Sequence, residues 1–384
     1  MEIEARSAPV VGLSEWRQTA AVALLVLLLF GLLCFTQYRP LTYLVGDGPY
    51  YAETAVSLLY DRDLDLRNQL AGGFEVHGPQ IALGADGAWY PKHPILLPVL
   101  ALPFLLSFGL PGFLIFNLMV IAAVAAAMLR LARLHAPPGP AATAVLALLF
   151  GTFVRAYAYN LSPDLLATLF LTLGILALLR GRSFLSGLLL GTAMLGKLLL
   201  LVTLPATLVF SAARGGARGG ARHLMGLLPP LALLGLLNLW LFGSPFVTSY
   251  DRNASIAEGQ IITTSHRSLF GDDFLAGLRG EMVDPRHGLL PTAPILLLAI
   301  PGTILLARRR GPDALLTGGL SALLILILAS YRDWSASHYG NRFLMPVVAL
   351  AAPSVALALG SLRAAVVDRL KSAGPGSRVR PVST

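Results

Sequence analysis

Apolar runs of 17 or more residues recur from positions 19–35 to positions 343–362, and they decide the class of this chain before anything else does. As a helix, such a run reaches across most of the roughly 30 Å hydrocarbon core of a bilayer. Of the 384 residues, 55% are hydrophobic and only 13% are charged, where a soluble domain carries about 25% charged residues. The chain therefore reads as an all-α, polytopic membrane protein with one membrane domain. Its net charge of +9 is spread over short loops and the C-terminus, as orientation signals are, and does not indicate nucleic acid. The lone cysteine, Cys34, excludes an intrachain disulfide. Residues 19–35 are long for the apolar part of a cleaved leader, and 37–40 make a poor cleavage site. That run reads as an uncleaved signal anchor.

About ten transmembrane helices follow from the hydropathy. The runs are 19–35, 112–133, 141–158, 165–179, 184–196, 198–212, 224–242, 288–307, 314–330 and 343–362. The pair 184–196 and 198–212 reads as a hairpin of short helices with Lys197 at its tip. Residues 95–108 are apolar but short and interrupted by Pro98 and Pro103, which suits an outer-leaflet segment. The basic loops at Arg130/Arg133, Arg180/Arg182, Arg214/Arg218/Arg222 and Arg308–Arg310 should be cytoplasmic. Both termini then lie inside, with tails 1–18 and 363–384 flanking the membrane domain 19–362. The outer side carries three loops, 36–94, 243–287 and 331–342. In the first and largest, Pro49 can open a helix. Its apolar face, Tyr51, Ala55, Leu58 and Leu59, suggests an interfacial helix at the membrane surface. Residues 72–73 and 84–87 read as turns.

Nearly all the carboxylates fall on that outer side, so a site sunk into the outer face is expected. Asp47, after the first span, is either a helix cap or a general base, with Glu53 nearby. Lys92 and His93, held between Pro91 and Pro94, are either a snorkelling interfacial cation and its neighbour or a fixed binding point for a phosphate. Asp164 opens a helix, as a first-turn acid or as a second carboxylate of the site. Lys197 is an ionisable group in an apolar tract, and such groups usually face a cavity or a partner. In the second loop Asp251, Arg252, Asp272, Asp273 and Glu281 read mostly as solvated, while Asp284, Arg286 and His287 abut a span. The late loop packs Trp334, His338, Tyr339 and Arg342 together, more than an aromatic belt requires, and suits a sugar or phosphate contact. No phosphate-cradling Gly-rich loop follows a strand, and no His/Cys cluster has metal spacing.

Taken in order, these stretches resemble the GT-C glycosyltransferases, in particular the protein O-mannosyltransferases, the lipid A aminoarabinose transferases and their bacterial relatives. The resemblance lies in Gly46-Asp47-Gly48-Pro49-Tyr50-Tyr51, Lys92-His93-Pro94-Ile95-Leu96 and Ser162-Pro163-Asp164-Leu165. It continues in the Gly-rich run 187–197, in Phe242-Gly243-Ser244-Pro245-Phe246 with Tyr250, in Arg286-His287-Gly288-Leu289-Leu290-Pro291, and in Tyr339-Gly340-Asn341-Arg342-Phe343-Leu344-Met345-Pro346. It implies an inverting glycosyltransferase of the bacterial inner membrane, with its site facing outward. The donor would be a polyprenyl-phosphate-linked sugar and the acceptor a hydroxyl of a lipid, glycan or protein. Asp47 would be the base, and Lys92, Lys197 and Arg342 would hold the donor phosphate. No cofactor is implied with certainty. Asp47 is followed by glycine rather than a second acid, so the metal-bridging pair of the oligosaccharyltransferase branch is not expected, and a divalent metal is not indicated. The alternative is a transporter or flippase of lipid-linked saccharides, which would use the same cations; such proteins often show two related halves, and no internal repeat is evident.

Overall fold

The computed structural model describes residues 13–37, 44, 46–71, 80–257, 260–265, 270–271, 273–335 and 339–372. It is mostly helical. In chain order the helices are α1 (Leu13–Gln37), α2 (Gly48–Val56), α3 (Arg67–Ala71), α4 (Leu96–Phe108), α5 (Pro111–Ala132), α6 (Pro138–Phe150) and α7 (Pro163–Leu179). Then come α8 (Ser183–Gly196), α9 (Leu204–Phe242), α10 (Phe274–Val283), α11 (Leu289–Thr292), α12 (Ala299–Leu328), α13 (Met345–Leu350) and α14 (Ala352–Ser372). Among the described residues, four helical stretches are long and apolar enough to cross a membrane, or five if the pair α13–α14, bent by 51°, is one span. Apolar side chains left exposed along α1 (Leu24, Leu28, Leu32) and α9 (Leu233, Leu236, Trp240) are what a lipid-facing surface carries.

Two of the long helical stretches double back. In α9 the chain turns at Gly216, whose φ of 62° is a conformation glycine adopts without strain. Ser211 Oγ then donates to the Gly219 carbonyl at 3.1 Å, although eight residues of straight helix span about 12 Å. In α12 the backbone breaks at Arg310, inside the basic triplet expected to be a loop, and Gly318 comes against the Thr303 side chain. The expected hairpin around Lys197 is also present. Lys197 is extended between α8 and a 3-10 turn at Leu198–Thr203, and the returning arm of α9 brings Ser211 Oγ to 3.0 Å from Ser183 Oγ. The second arm of α9 closes on α8 through small residues. A Cβ on Gly187 would lie 2.1 Å from the His223 carbonyl oxygen, and one on Gly226 would lie 2.0 Å from that of Phe184. Small residues at a crossing let helix backbones approach closely.

Three expectations need correction. The chain is not all-α: a four-stranded antiparallel sheet, ordered β2-β1-β3-β4, joins the first long loop to the second. It is built from β1 (Ile81–Leu83), β2 (Trp89–Pro91), β3 (Asn253–Ala257) and β4 (Gln260–Thr264). The turn read at 84–87 is the β1–β2 connection, and Ile81 pairs with Ala254 across the two loops. Nor is α2 a surface helix. Every residue from Gly48 to Ala55 is buried, because Tyr51, Ala52 and Ala55 pack into the main core with Leu97 and Ala101 of α4. Residues 141–158 are not one helix either. α6 stops at Phe150 and a 3-10 turn, Phe153–Tyr157, carries the chain towards the site.

Candidate functional site

Five ionisable side chains from four distant parts of the chain meet where the loops cover the helix ends. Asp47 occupies the position just before α2 but makes no capping hydrogen bond; the cap reading fails. Its carboxylate turns instead to Arg342, whose Nη2 donates to Oδ2 at 2.5 Å across 295 residues of sequence. His93 Nε2 lies 3.9 Å from Asp47 Oδ1. Arg342 Nε also stands 3.8 Å from Asp164 Oδ2, and Asp164 Oδ1 accepts a hydrogen bond from Lys197 Nζ. Asp47 and Asp164 are thus bridged by one guanidinium.

Local structure fixes each of these groups. Asp164 is a first-turn acid of α7, but the cap is Ser162, which accepts from the Asp164 N–H and donates from Oγ to Asp164 Oδ2 at 2.6 Å. That bond aims Oδ1 at Lys197. Lys197 can reach it because the break between α8 and the 3-10 turn releases its side chain from the helix direction. Its ammonium also lies 4.3 Å from the Phe343 ring centroid, within cation–π range. Arg342 begins a short 3-10 turn capped by Asn341, whose Oδ1 accepts from the Phe343 N–H. Just before it, Gly340 has φ of 67° and leaves no room for a Cβ, which would lie 2.1 Å from Phe153 Cβ. Asn117 of α5 holds the approach to α7 by donating to the carbonyls of Tyr157 and Ala158.

Lys92 is a neighbour of this cluster. Its Nζ donates to Gln80 Oε1 at 3.1 Å, and the same oxygen lies 3.3 Å from His93 Nε2. The ring of Tyr51 packs on His93 with centroids 5.2 Å apart. Burial alone would push the Asp47 carboxyl up, but His93 and Arg342, with Lys92 behind them, outweigh it and hold the group well below the usual carboxylate range. Burial lowers the Lys92 ammonium from its ordinary value against the opposing pull of Asp47 and Asp333. Burial also raises the Tyr250 phenol, which is close enough to Asp47 to feel its charge. Two carboxylates therefore face three fixed cations, before His93 is counted, in a place largely closed to water: Arg342 is 14% and Lys197 11% exposed.

The remaining sequence candidates fall around this centre. Glu53 is buried on α2. Arg286 lends its backbone, the Gly340 N–H donating to its carbonyl at 2.7 Å. His287 pairs with Asp284 through Nδ1 at 3.0 Å and meets the Trp334 ring edge-on. The Tyr339 carbonyl accepts from Tyr157 Oη at 3.1 Å. His338 lies outside the described residues. Glu281, read with the solvated charges, is in fact buried on α10 with neither oxygen hydrogen-bonded, and burial pushes its carboxyl up to about 8. Sequence reasoning missed Gln80, Asn117 and Ser162, neutral groups that orient the charged ones. Among the described residues no three His, Cys, Asp or Glu side chains stand together as a metal site would require.

No family model and no curated protein matches the chain. A solved structure does: the crystal structure of ArnT from Cupriavidus metallidurans bound to undecaprenyl phosphate. The match has a TM-score of 0.57 at 17% identity and covers 94% of this chain and 64% of that one. The likeness is one of fold, and at that level it agrees with the GT-C resemblance carried by the sequence motifs.

Proposed function

We propose that this protein is an inverting glycosyltransferase that moves a sugar from a polyprenyl phosphate to an acceptor hydroxyl at the extracytoplasmic face. The observation that carries the reading is the surplus of cations, largely shielded from water, at one point: Lys92, Lys197 and Arg342 around Asp47 and Asp164. Buried charge without a partner is costly, so such a surplus suits an anionic ligand, and a phosphate anchored by its own lipid tail needs no nucleotide pocket. The fold of a protein solved with undecaprenyl phosphate bound supports the same class of donor.

In this reading Arg342 is shared. Without donor it is held by Asp47 and Asp164, and the low pKa of Asp47 makes it a weak base. When the phosphate takes up part of the guanidinium, Asp47 loses its strongest hydrogen bond and its basicity rises next to the incoming hydroxyl. The carboxylate then accepts the hydroxyl proton. The oxygen attacks the anomeric carbon on the face opposite the phosphate, the C–O bond to phosphate breaks, and the anomeric configuration inverts. Lys92, Lys197 and Arg342 stabilise the charge that develops on the departing phosphate.

The test is transfer by the purified protein from a panel of labelled polyprenyl-phosphate sugars. The expected result is product from at least one donor, lost in Asp47→Asn while the variant stays folded and membrane-inserted. Undiminished turnover in that variant removes Asp47 from the mechanism, and product of retained anomeric configuration removes the direct displacement.

A further inference from the structure

The proposed reaction has no use for Glu281 of α10. The residue is fully buried, and neither carboxylate oxygen has a hydrogen-bond partner. The helix around it is held close on two sides. A Cβ on Gly277, one turn earlier, would run into the carbonyl of Ala329 at the end of α12, and one on Gly280 would run into the Trp334 ring. α11 packs on the same helix. None of these neighbours brings a compensating charge. α11 and residues 314–330 of the α12 arm carry no ionisable side chain. Asp284, Arg286 and His287 lie in the connection to α11, and Tyr331, Arg332 and Asp333 follow α12; none of them bonds to either Glu281 oxygen. Arg279, on α10 itself, is exposed, as are Arg332, Asp333 and, at the start of the helix, Asp273. Burial without a partner disfavours the charged form of an acid, and it lifts the Glu281 carboxyl from an ordinary 4.5 to about 8. The packed arrangement thus holds a protonated acid at neutral pH. The same packing reaches the segment that carries Arg342: Trp334 meets His287 edge-on, and the Gly340 N–H donates to the Arg286 carbonyl.

We propose that Glu281 is a proton-controlled latch. Protonated, it lets α10 close on the end of α12 and on Trp334; ionised, it drives that contact open so that its carboxylate reaches water. The cost of burying a bare carboxylate is what opens it. The direction follows from the two states. Closed α10 keeps a proton that open α10 gives up, so closing takes up one proton between the ordinary and the raised value. Acid tightens the latch. Rising pH loosens it until both states are ionised, and beyond that point the balance no longer moves. The inference does not rest on the reading of the Asp47 cluster; it adds a pH dependence to the packing beside the segment that leads to Arg342.

Hydrogen exchange of the full-length protein in micelles, followed peptide by peptide from about pH 5 to about pH 9, tests it. Parent and Glu281→Gln are compared at each pH. The comparison cancels the intrinsic pH dependence of exchange and the titration of Asp284, His287 and Asp333, which both proteins share. Opening of α10 and of Tyr331–Trp334 in the parent, relative to the variant, should rise by roughly tenfold per pH unit up to about pH 8 and then level off. The melting temperature of the parent should fall relative to that of the variant over the same range. Should Glu281→Gln fail to fold, Glu281→Leu, which is also uncharged, serves the same comparison. An exchange ratio that stays constant with pH would overturn the proposal. A rise confined to peptides outside α10 and Tyr331–Trp334 would overturn it too.

Discussion

Lys92 is the one cation of the cluster not committed to a carboxylate by a direct contact among the described residues; its ammonium rests on a neutral amide. That leaves its charge less protected by a carboxylate than those of Lys197 and Arg342. Burial lowers its pKa, and an ammonium is charged below its pKa. Donor affinity should therefore hold at neutral pH and fall as pH rises through the lowered value, before an ordinary lysine near pH 10.4 would discharge. Arginine stays charged throughout. Lys92→Arg should keep its affinity for a labelled polyprenyl phosphate across the alkaline range in which the parent loses it. Parallel pH curves for the two proteins would take Lys92 out of phosphate binding. The Asp164–Lys197 pair argues differently, since both groups are buried and each satisfies the other. Removing one partner of such a pair costs about 3–5 kcal/mol, while replacing both with apolar groups costs far less. Asp164→Leu should thus lower the detergent-phase melting temperature more than the double change Asp164→Leu/Lys197→Met does. A double variant no more stable than the single one would mean the pair is not coupled. These charged residues were legible in the sequence because ionisable groups in apolar surroundings stand out. Gln80 and Asn117 were not, because a neutral amide gives no such contrast until its partners are known.

The apolar helices announced themselves by length and composition, and the hairpin tip by a single lysine between two apolar arms. The sheet did not. Its first two strands have three residues each, too few to show an alternating pattern, and Ile81 of β1 finds its partner 173 positions along, at Ala254. Burial of α2 was equally hidden. One apolar face is visible in its sequence, but the cover on its other side comes from distant loops. What the helices need from one another can be tested at the α8–α9 crossing. A side chain at Gly187 would run into the His223 carbonyl, so Gly187→Leu must push the helices apart. Overpacking of this kind costs about 1–3 kcal/mol and should lower the melting temperature. It should also reduce donor binding, because α8 ends at Lys197. Gly215→Ala, at a position with open space around it, is the matched control and should leave both unchanged. If Gly187→Leu melts like the parent, the close crossing is not what holds α8 in place.

At the scale of the whole molecule, two ends of opposite character are set apart by the helices. One collects the sheet, the loops and the Asp47 cluster; the other collects the arginine turns, among them Arg309. The proposed orientation rests on the basic turns through the positive-inside rule, and the proposed donor, presented from outside, requires the cluster to face outward. These two statements are tied by the helical topology and fail together. Phe246 lies just past the end of α9 on the side of the cluster and is 84% exposed; Arg309 marks the other end. In a Cys34→Ala background, Phe246→Cys should react with a membrane-impermeant maleimide in intact cells. Arg309→Cys should react only after the membrane is opened. Exchange of the two results would turn the cluster inward and leave an extracytoplasmic donor unable to reach it. Labelling of both from one side would break the parity of the crossings. The experiment bears on function because charge asymmetry along one axis is what sets the Asp47 cluster and the arginine turns at opposite ends of a single helical frame.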